Sequence, residues 1–589
     1  MVKKFSYRIH SNYFILFGTG RLPALIRNRS SVTFFSGCKL IVILSLWAIT
    51  IAPLHACDPR QEGLETVSNV KIAVSRQHVP VLTRVEDNTI LRIDLNAEGG
   101  SVQAIKISMK GTTDLSDVES VRLFYGETDE VLRERPKPYG EAVAAAGEII
   151  FSGPAILVDP SLSFRLSVRI KESANLLHRV DASCEWVKID GEQLVPQVKP
   201  TGGALRLGMA LRQHGDDQVH TYRIPGLTTT KNGSLLAIYD VRRESSRDLQ
   251  GNMDIGLSRS TDGGNSWEPM RIVVDKGAWG GLPEKFNGVS DACVLVDENA
   301  NTIFVAGLWM YGVINESGQW VEGLTESSTE WNHQWRDKGS QPGFDVKQTS
   351  QFLITKSTDD GKTWSEPVNL TRMCKKEAWW LWAPAPGHGI TLDDGTLVFP
   401  TQGRDERGES FSNITWSKDG GQTWTTSNIA SRKTTENMVA QLGDGSIMIN
   451  ARLTANRGNT GPDNGRVISV SRDLGESWTE HPTSRNALIE PTCMASLHKH
   501  EYSENGQKKN LLLFSNPNSK TDRQNMTIKV SFDNGQTWPE KYWLLLDEGK
   551  GRGYSCLTSV DEQTIGILYE GSGADMIFQK IPLSELIGK

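Results

Sequence analysis

The sequence predicts an all-β protein, a six-bladed β-propeller over residues 205–589 preceded by a β-sandwich over residues 65–200. Three observations carry this expectation. An eight-residue pattern, Ser-x-Asp-x-Gly-x-[Ser/Thr]-Trp, begins at Ser260, Ser357, Ser417, Ser471 and Ser531, so its copies lie 97, 60, 54 and 60 residues apart. Repetition at such a period marks a propeller or array. Residues 205–589 divide into six units of about 60 residues. Residues 65–200 hold no copy, but alternate apolar and polar positions in short runs bounded by turn residues, as in Ile90–Asp94, Val121–Tyr125 and Phe164–Ile170.

Each repeat has a mechanical reading. The Asp carboxylate accepts backbone N–H bonds inside a tight turn, the Gly supplies positive φ, and the Trp drops into the apolar layer below. Runs such as Asp254–Ser258 and Val467–Ser471 precede the copies, so each is an Asp-box turn joining two strands. Such turns establish architecture, and any chemistry belongs to loops around the central pit.

From the N-terminus, Lys3, Lys4, Arg8, Arg21, Arg27, Arg29 and Lys39 precede an apolar run, Leu40–Pro53. That run is too short to span a bilayer and fits the apolar core of an export signal. The basic stretch ahead of it is long for a signal, which points to a start downstream of Met1. Residues 1–57 are therefore expected to be a leader, and the protein to be exported to the periplasm, cell surface or medium. Leu54-His55-Ala56-Cys57 fits a lipoprotein cleavage box with a lipid anchor on Cys57, and equally an ordinary cleavage after Ala56. Lys199–Gly203 reads as the linker between sandwich and propeller. The long first repeat interval implies an insertion at about 308–351, which carries Trp309, Tyr311, Trp320, Trp331 and Trp335. Self-packing is the favoured reading of these aromatics, a sugar-facing surface the other.

A net charge of −6 over 589 residues argues against nucleic acid as a partner. Cys184, Cys293, Cys374, Cys493 and Cys556 lack metal-ligand spacing and read as buried small hydrophobes. Leu497-His498-Lys499-His500 offers two histidines with no further ligand nearby, and an exposed strand end is the expectation. Neither a metal nor a cofactor is expected.

Several further motifs stand between the repeats. They are His220-Thr-Tyr-Arg223-Ile-Pro-Gly226, Glu436 to Arg452, Phe514–Pro517 followed by Asp522-Arg523, Gly553-Tyr554-Ser-Cys-Leu557, and Ile567-Leu-Tyr-Glu570. Taken singly, an Arg on a strand is a surface residue, Tyr554 a core aromatic and Glu436 a surface carboxylate. In this order, and with the turns, they resemble the exo-α-sialidases (neuraminidases) of glycoside hydrolase family 33. The resemblance runs over the whole chain, because exported bacterial members also carry an N-terminal β-sandwich; a carbohydrate-binding role for the sandwich goes with it.

The resemblance implies a retaining exo-α-sialidase acting on sialylated glycoproteins, glycolipids and oligosaccharides. Sialic acid carries a carboxylate on its anomeric carbon, and fixed guanidinium forks bind such a group. Arg223, Arg452 and Arg523 match the family's three arginines. A carboxylate nucleophile would repel this substrate, and a neutral tyrosine activated by a glutamate suits it better. Tyr554 and Glu436 match that pair, and Glu570 the acid that orients the first arginine. Asp248 matches the acid/base, with Asp240, Glu244 and Asp254 as local rivals, Glu244 the most serious. Arg242 resembles an arginine that contacts a ring substituent, and Asp291 another acid lining the pocket. An apolar wall for the N-acetyl methyl is expected, with Trp379, Trp380 and Trp382 unassigned. A trans-sialidase or intramolecular trans-sialidase shares every one of these residues. A non-catalytic sialoglycan adhesin needs the arginines but not Tyr554, Glu436 and Asp248 together.

Overall fold

The computed structural model describes residues 70–588, apart from 97–98, 128–134, 249–250, 280–283, 312–339 and 347. The leader with Cys57, and Trp320, Trp331 and Trp335 of the insertion, lie outside the described residues. Trp309 is fully buried on the strand Ile303–Tyr311.

Six groups of antiparallel strands follow one another in the chain, the first two joined in one sheet and the last sharing a sheet with the sandwich. Their first strands are Thr221–Thr229, Asn287–Val296, Leu381–Pro384 with Ile390–Thr391, Thr434–Gln441, Ser496–Glu504 and Ser555–Asp561. These strands contact their neighbours around a common axis, making six blades. In blades 1 to 5 an Asp-box turn joins the third strand to the fourth, as between Met253–Ser260 and Arg271–Val274. Blade 6 is assembled from both ends of the propeller segment. Its outer strand is Leu205–Arg212, paired antiparallel with Met576–Pro582 through Met209↔Phe578. No local turn joins its last two strands, which is why six blades carry five repeats.

The boxes have one internal geometry. In the first, Ser260 Oγ accepts the Gly264 N–H at 2.9 Å and donates to Asp262 Oδ1 at 2.8 Å. Asp262 Oδ1 accepts the Ser266 N–H at 2.9 Å and Oδ2 the Ser266 hydroxyl at 2.6 Å. Hydrogen bonds of this kind favour the ionised carboxylate, and the Asp419 and Asp473 carboxyls are brought down to about 2, chiefly by the hydroxyls of Thr423 and Ser477.

The sandwich packs one sheet containing Lys71–Ser75, Asn88–Asn96, Ser163–Ile170 and Val118–Gly126 against a second of Glu148–Leu157, Ser101–Ser108, Ser183–Ile189 and Glu192–Leu194. Ile93, Val102, Ile105, Phe164 and Val187 fill the space between them. Val81–Thr83 pairs parallel with Leu205–Arg212, so one sheet continues from the sandwich into blade 6. The core continues as well, through Leu211, Tyr222, Tyr239 and Phe578.

His498 and His500 are not an exposed strand end. They lie mid-strand on the first strand of blade 5, and both reach Ser559 Oγ of blade 6 at 2.8 Å. Residues two apart on a strand share a face, and here that face looks toward the next blade. The exposed end of the strand begins only at Ser503 and Glu504.

Candidate active site

Three of the first strands are bulged at the same end, and each bulge delivers a charged side chain. A β-bulge re-aims a side chain at the cost of local pairing. In blade 1 the ladder slips between Arg223 and Gly226, with Ile224 at φ 63°. A β-branched residue in the left-handed region is strained, and Glu570 holds it there. Glu570 Oε1 accepts both the Ile224 N–H at 2.9 Å and Arg223 Nε at 2.5 Å. In blade 2 the slip falls between Ser290 and Cys293, with Asp291 at φ 54°. In blade 4 it falls between Thr434 and Asn437 and frees Glu436 from the ladder.

Tyr554 stands immediately before the first strand of blade 6. Gly553, at φ 83°, makes the turn into it, and a Cβ there would come within 2.8 Å of Pro517 and 3.0 Å of Arg523 Cβ. The Tyr554 hydroxyl donates to Glu436 Oε1 in a short hydrogen bond. Arg452 Nη1 donates to the other oxygen of Glu436 at 2.5 Å and to the Tyr554 oxygen at 3.0 Å. Arg223 and Arg523 lie against the ring, their guanidinium carbons 5.3 and 5.4 Å from its centre. Glu570 Oε2 accepts the Tyr554 N–H at 3.1 Å, so one buried carboxylate orients both Arg223 and Tyr554. Burial and the Glu436 carboxylate push the Tyr554 hydroxyl well above the usual range, against the pull of Arg452 and Arg523. The phenol is therefore neutral at rest.

The arginines differ in how their charge is met. Arg523 donates to the carbonyls of Arg552 at 2.9 Å and Thr492 at 3.2 Å. Among the described residues it has no carboxylate in ion-pair range. Arg223 uses Nε on Glu570, and its two terminal nitrogens have no hydrogen-bond partner among the described residues. Guanidinium nitrogens that no internal carboxylate engages are suited to an external anion.

Arg242 is almost wholly buried, with Nη2 2.9 Å from Asp240 Oδ2 and 2.6 Å from Asp248 Oδ1. The Asp248 side chain is 66 % exposed. Desolvation by the surrounding pit works against ionisation despite that exposure, and the guanidinium groups of Arg242 and Arg223 outweigh it, holding the carboxyl below its usual value. The rivals are placed otherwise. Asp254 is buried against Arg243, and burial pushes it up to about 6. Glu244 is exposed. Asp240 lies fully buried beneath Arg242 and also accepts the Ser290 hydroxyl at 2.7 Å and the Asp291 N–H at 3.2 Å. Burial brings it up to about 6 despite Arg242. Burial, then Asp248, Asp240 and Glu436, raise Asp291 well above the carboxylate range.

The structure thus gathers residues 331 positions apart into one pit (Arg223 to Tyr554), with a Tyr–Glu pair at the centre, guanidinium groups around it and a carboxyl at the rim. A family model described as "N-terminal domain of BNR-repeat neuraminidase" matches residues 69–193, and one described as "BNR repeat-like domain" matches residues 224–545. A sialidase of Bacteroides fragilis is 39 % identical over 576 residues, 93 % of this chain and 99 % of its own. This chain belongs to the sialidase family. The solved structure of a Hadza microbial sialidase, Hz136, superposes with a TM-score of 0.77 at 37 % identity, covering 87 % of this chain and all of its own. A leech intramolecular trans-sialidase, at TM-score 0.50 and 16 % identity over 85 % of this chain, shares the fold.

Two features of this sialidase differ from the sequence expectation. Asp240, weighed only as a rival acid, supports Arg242 and the Asp291 backbone. Its spacing of two from Arg242 places both on one strand face, a signal that could have been used. Two of the three candidate wall tryptophans are core instead. Trp382 stacks on Phe352 at 4.3 Å, and Trp379 packs on Phe411 at 4.6 Å. Among the described residues the one trio of metal-ligating type is Asp114, Asp117 and His178, in the sandwich. There Asp117 bonds His178 Nδ1 at 2.7 Å and Asp114 caps Ser116 N.

Proposed function

We propose that this sialidase is a retaining exo-α-sialidase, hydrolysing terminal α-ketosidically linked sialic acid from glycoproteins, glycolipids and oligosaccharides through a tyrosyl intermediate. The observation that carries the reading is the hydrogen bond from the neutral Tyr554 hydroxyl to Glu436, inside a ring of arginines. Arg223, Arg452 and Arg523 bind the substrate carboxylate. Tyr554 Oη attacks the anomeric carbon as its proton passes to Glu436, and the glycosidic bond breaks with proton transfer from Asp248 to the leaving oxygen. In the second step Asp248 takes a proton from water. The water oxygen bonds to the anomeric carbon, the tyrosyl bond breaks, and Glu436 returns the proton to Tyr554. Two inversions give net retention. Arg242 and Asp291 line the pocket beside the reacting ring.

Substrate binding also sets the acid. The sialic carboxylate offsets the charge on Arg223, which relieves its hold on Asp248 and raises that carboxyl toward the protonated state the first step needs. The test is incubation with a fluorogenic α-sialoside followed by identification of the sugar product. Free sialic acid released first as the α-anomer supports the proposal. Release as the β-anomer overturns retention, and an anhydro-sugar or a transferred sialoside moves the protein to the transferase reading.

A further inference from the structure

Behind the arginines lies an ion pair that touches neither pit nor solvent. Arg466 and Glu490 are both fully buried, with Arg466 Nη1 2.7 Å from Glu490 Oε2. Replacing a buried pair of this kind by apolar residues of similar volume is often neutral or stabilising, so its presence is weak evidence of a stability role. Its remaining hydrogen bonds show what it organises.

One set holds the strand that bears Arg452. Arg466 Nε and Nη2 donate to the side-chain and backbone oxygens of Asn450, at 2.7 and 3.1 Å. Glu490 Oε1 accepts the Leu453 N–H at 2.7 Å and Asn456 Nδ2 at 2.8 Å. The backbone is thus pinned on both sides of Arg452. The other set holds the seat of Arg523. Arg466 Nη1 also donates to the Cys493 carbonyl at 2.7 Å. The preceding residue, Thr492, sits at φ 54° and turns its carbonyl to Arg523 Nη2 at 3.2 Å. Asn464 closes the arrangement from both sides, accepting the Glu490 N–H at 2.9 Å and donating to the Glu490 carbonyl at 3.0 Å.

We propose that Arg466 and Glu490 are positioning residues, a buried strut that fixes the distance and angle between Arg452 and Arg523 so that the two forks converge on one carboxylate. The proposal rests on the carboxylate-binding reading of those arginines. Bidentate recognition depends on the relative plane of the donors, and a misplacement of about 1 Å in such a site costs on the order of a hundredfold. Arg452 and Arg523 sit on different blades, so no single strand sets their separation.

The experiment compares wild type with Glu490→Gln and with the apolar pair Arg466→Met/Glu490→Leu. It measures Tm, KM and kcat on an aryl α-sialoside, and the Kd of the 2,3-unsaturated analogue of sialic acid, which keeps the carboxylate but has no leaving group. Both variants are expected to raise KM and analogue Kd by about ten- to a hundredfold, with a smaller fall in kcat. Tm is expected to fall in the apolar pair, which leaves the Leu453 N–H and the Cys493 carbonyl without these partners, with the protein still folded. Combining Glu490→Gln with Arg523→Lys is expected to cost less than the two separate losses multiplied, because both act on one contact. An apolar pair that folds and binds the analogue as wild type does would overturn the strut, as would strictly multiplicative losses in the double variant. Failure of both variants to fold would mark the pair as a stability element and overturn it too. Failure of the carboxylate reading itself shows separately, as absence of analogue binding by wild type.

Discussion

Tyr554 and Glu436 share a short hydrogen bond although they come from different blades, 118 residues apart. Glu436 Oε2 is already engaged by Arg452, so the oxygen facing Tyr554 is oriented before substrate arrives. Tyr554→Phe keeps the ring beneath Arg223 and Arg523 but lacks the proposed nucleophile. Its kcat on an aryl sialoside is expected to fall by about a thousandfold or more, with Tm unchanged within a few degrees. Glu436→Gln retains an acceptor but takes no proton, and a loss of about 10²–10⁴ is expected. Wild-type turnover by Tyr554→Phe would remove the tyrosine from the mechanism.

On the proposed reading Arg223, Arg452 and Arg523 hold the carboxylate in ground and transition states alike, so their loss belongs in KM and kcat/KM. Each Arg→Ala change is expected to lower kcat/KM by at least about tenfold, the worth of a charge-assisted hydrogen bond. Arg223→Ala carries an added penalty, since it leaves the buried Glu570 without its partner. Lysine rescue is expected to be partial at all three, because a point charge does not reproduce a planar fork. Near-normal kinetics in all three alanine variants would end the carboxylate-clamp account.

Lys529 gives a prediction about stability. Its side chain is fully buried, its Nζ has no hydrogen-bond partner among the described residues, and burial lowers its pKa to about 7. The face of Trp543, 4.5 Å from Nζ, offsets part of that cost. The unfolded chain binds a proton here up to about pH 10.4. Between about pH 7 and 10 the unfolded state therefore holds more protons, and stability rises with pH. Below pH 7 both states are charged and the burial penalty is complete. Lys529→Met is expected to raise Tm, by more at pH 6 than at pH 9. An equal gain at both values would show that folded and unfolded protein bind the same number of protons here between pH 6 and 9, so that Lys529 stays charged in the fold.

Much of this architecture is written locally. The box turns, the short strands and the blade spacing depend on residues close in the chain, and each is readable from its own window. The closing of blade 6 is different, since Leu205–Arg212 meets Met576–Pro582 only through the whole propeller, and nothing in either strand announces it. The same division runs through the site. Ile224-Pro225 marks the first bulge in sequence, whereas those at Ser290–Cys293 and Thr434–Asn437 contain no Gly or Pro to signal them. Spacing puts His498 and His500 on one strand face, but whether that face meets solvent or Ser559 depends on the neighbouring blade. Asp248 and Glu244 fall on one short stretch, and only the placement of Arg242 separates them.

That separation leads to the sharpest kinetic test. Asp248 pairs with the buried Arg242, while Glu244 is exposed. A general acid matters most when the leaving group is poor. Asp248→Ala is therefore expected to depress cleavage of sialyllactose far more than cleavage of an activated aryl sialoside, and Glu244→Ala to change both equally or neither. The pH profile gives an independent check. The acid must be protonated, so activity falls as pH rises through its pKa, and Arg242 holds that pKa down. Arg242→Gln removes this hold, and the alkaline limb of kcat is expected to move to higher pH. An unmoved limb, together with a sialyllactose-to-aryl ratio that collapses only in Glu244→Ala, would assign the acid role to Glu244.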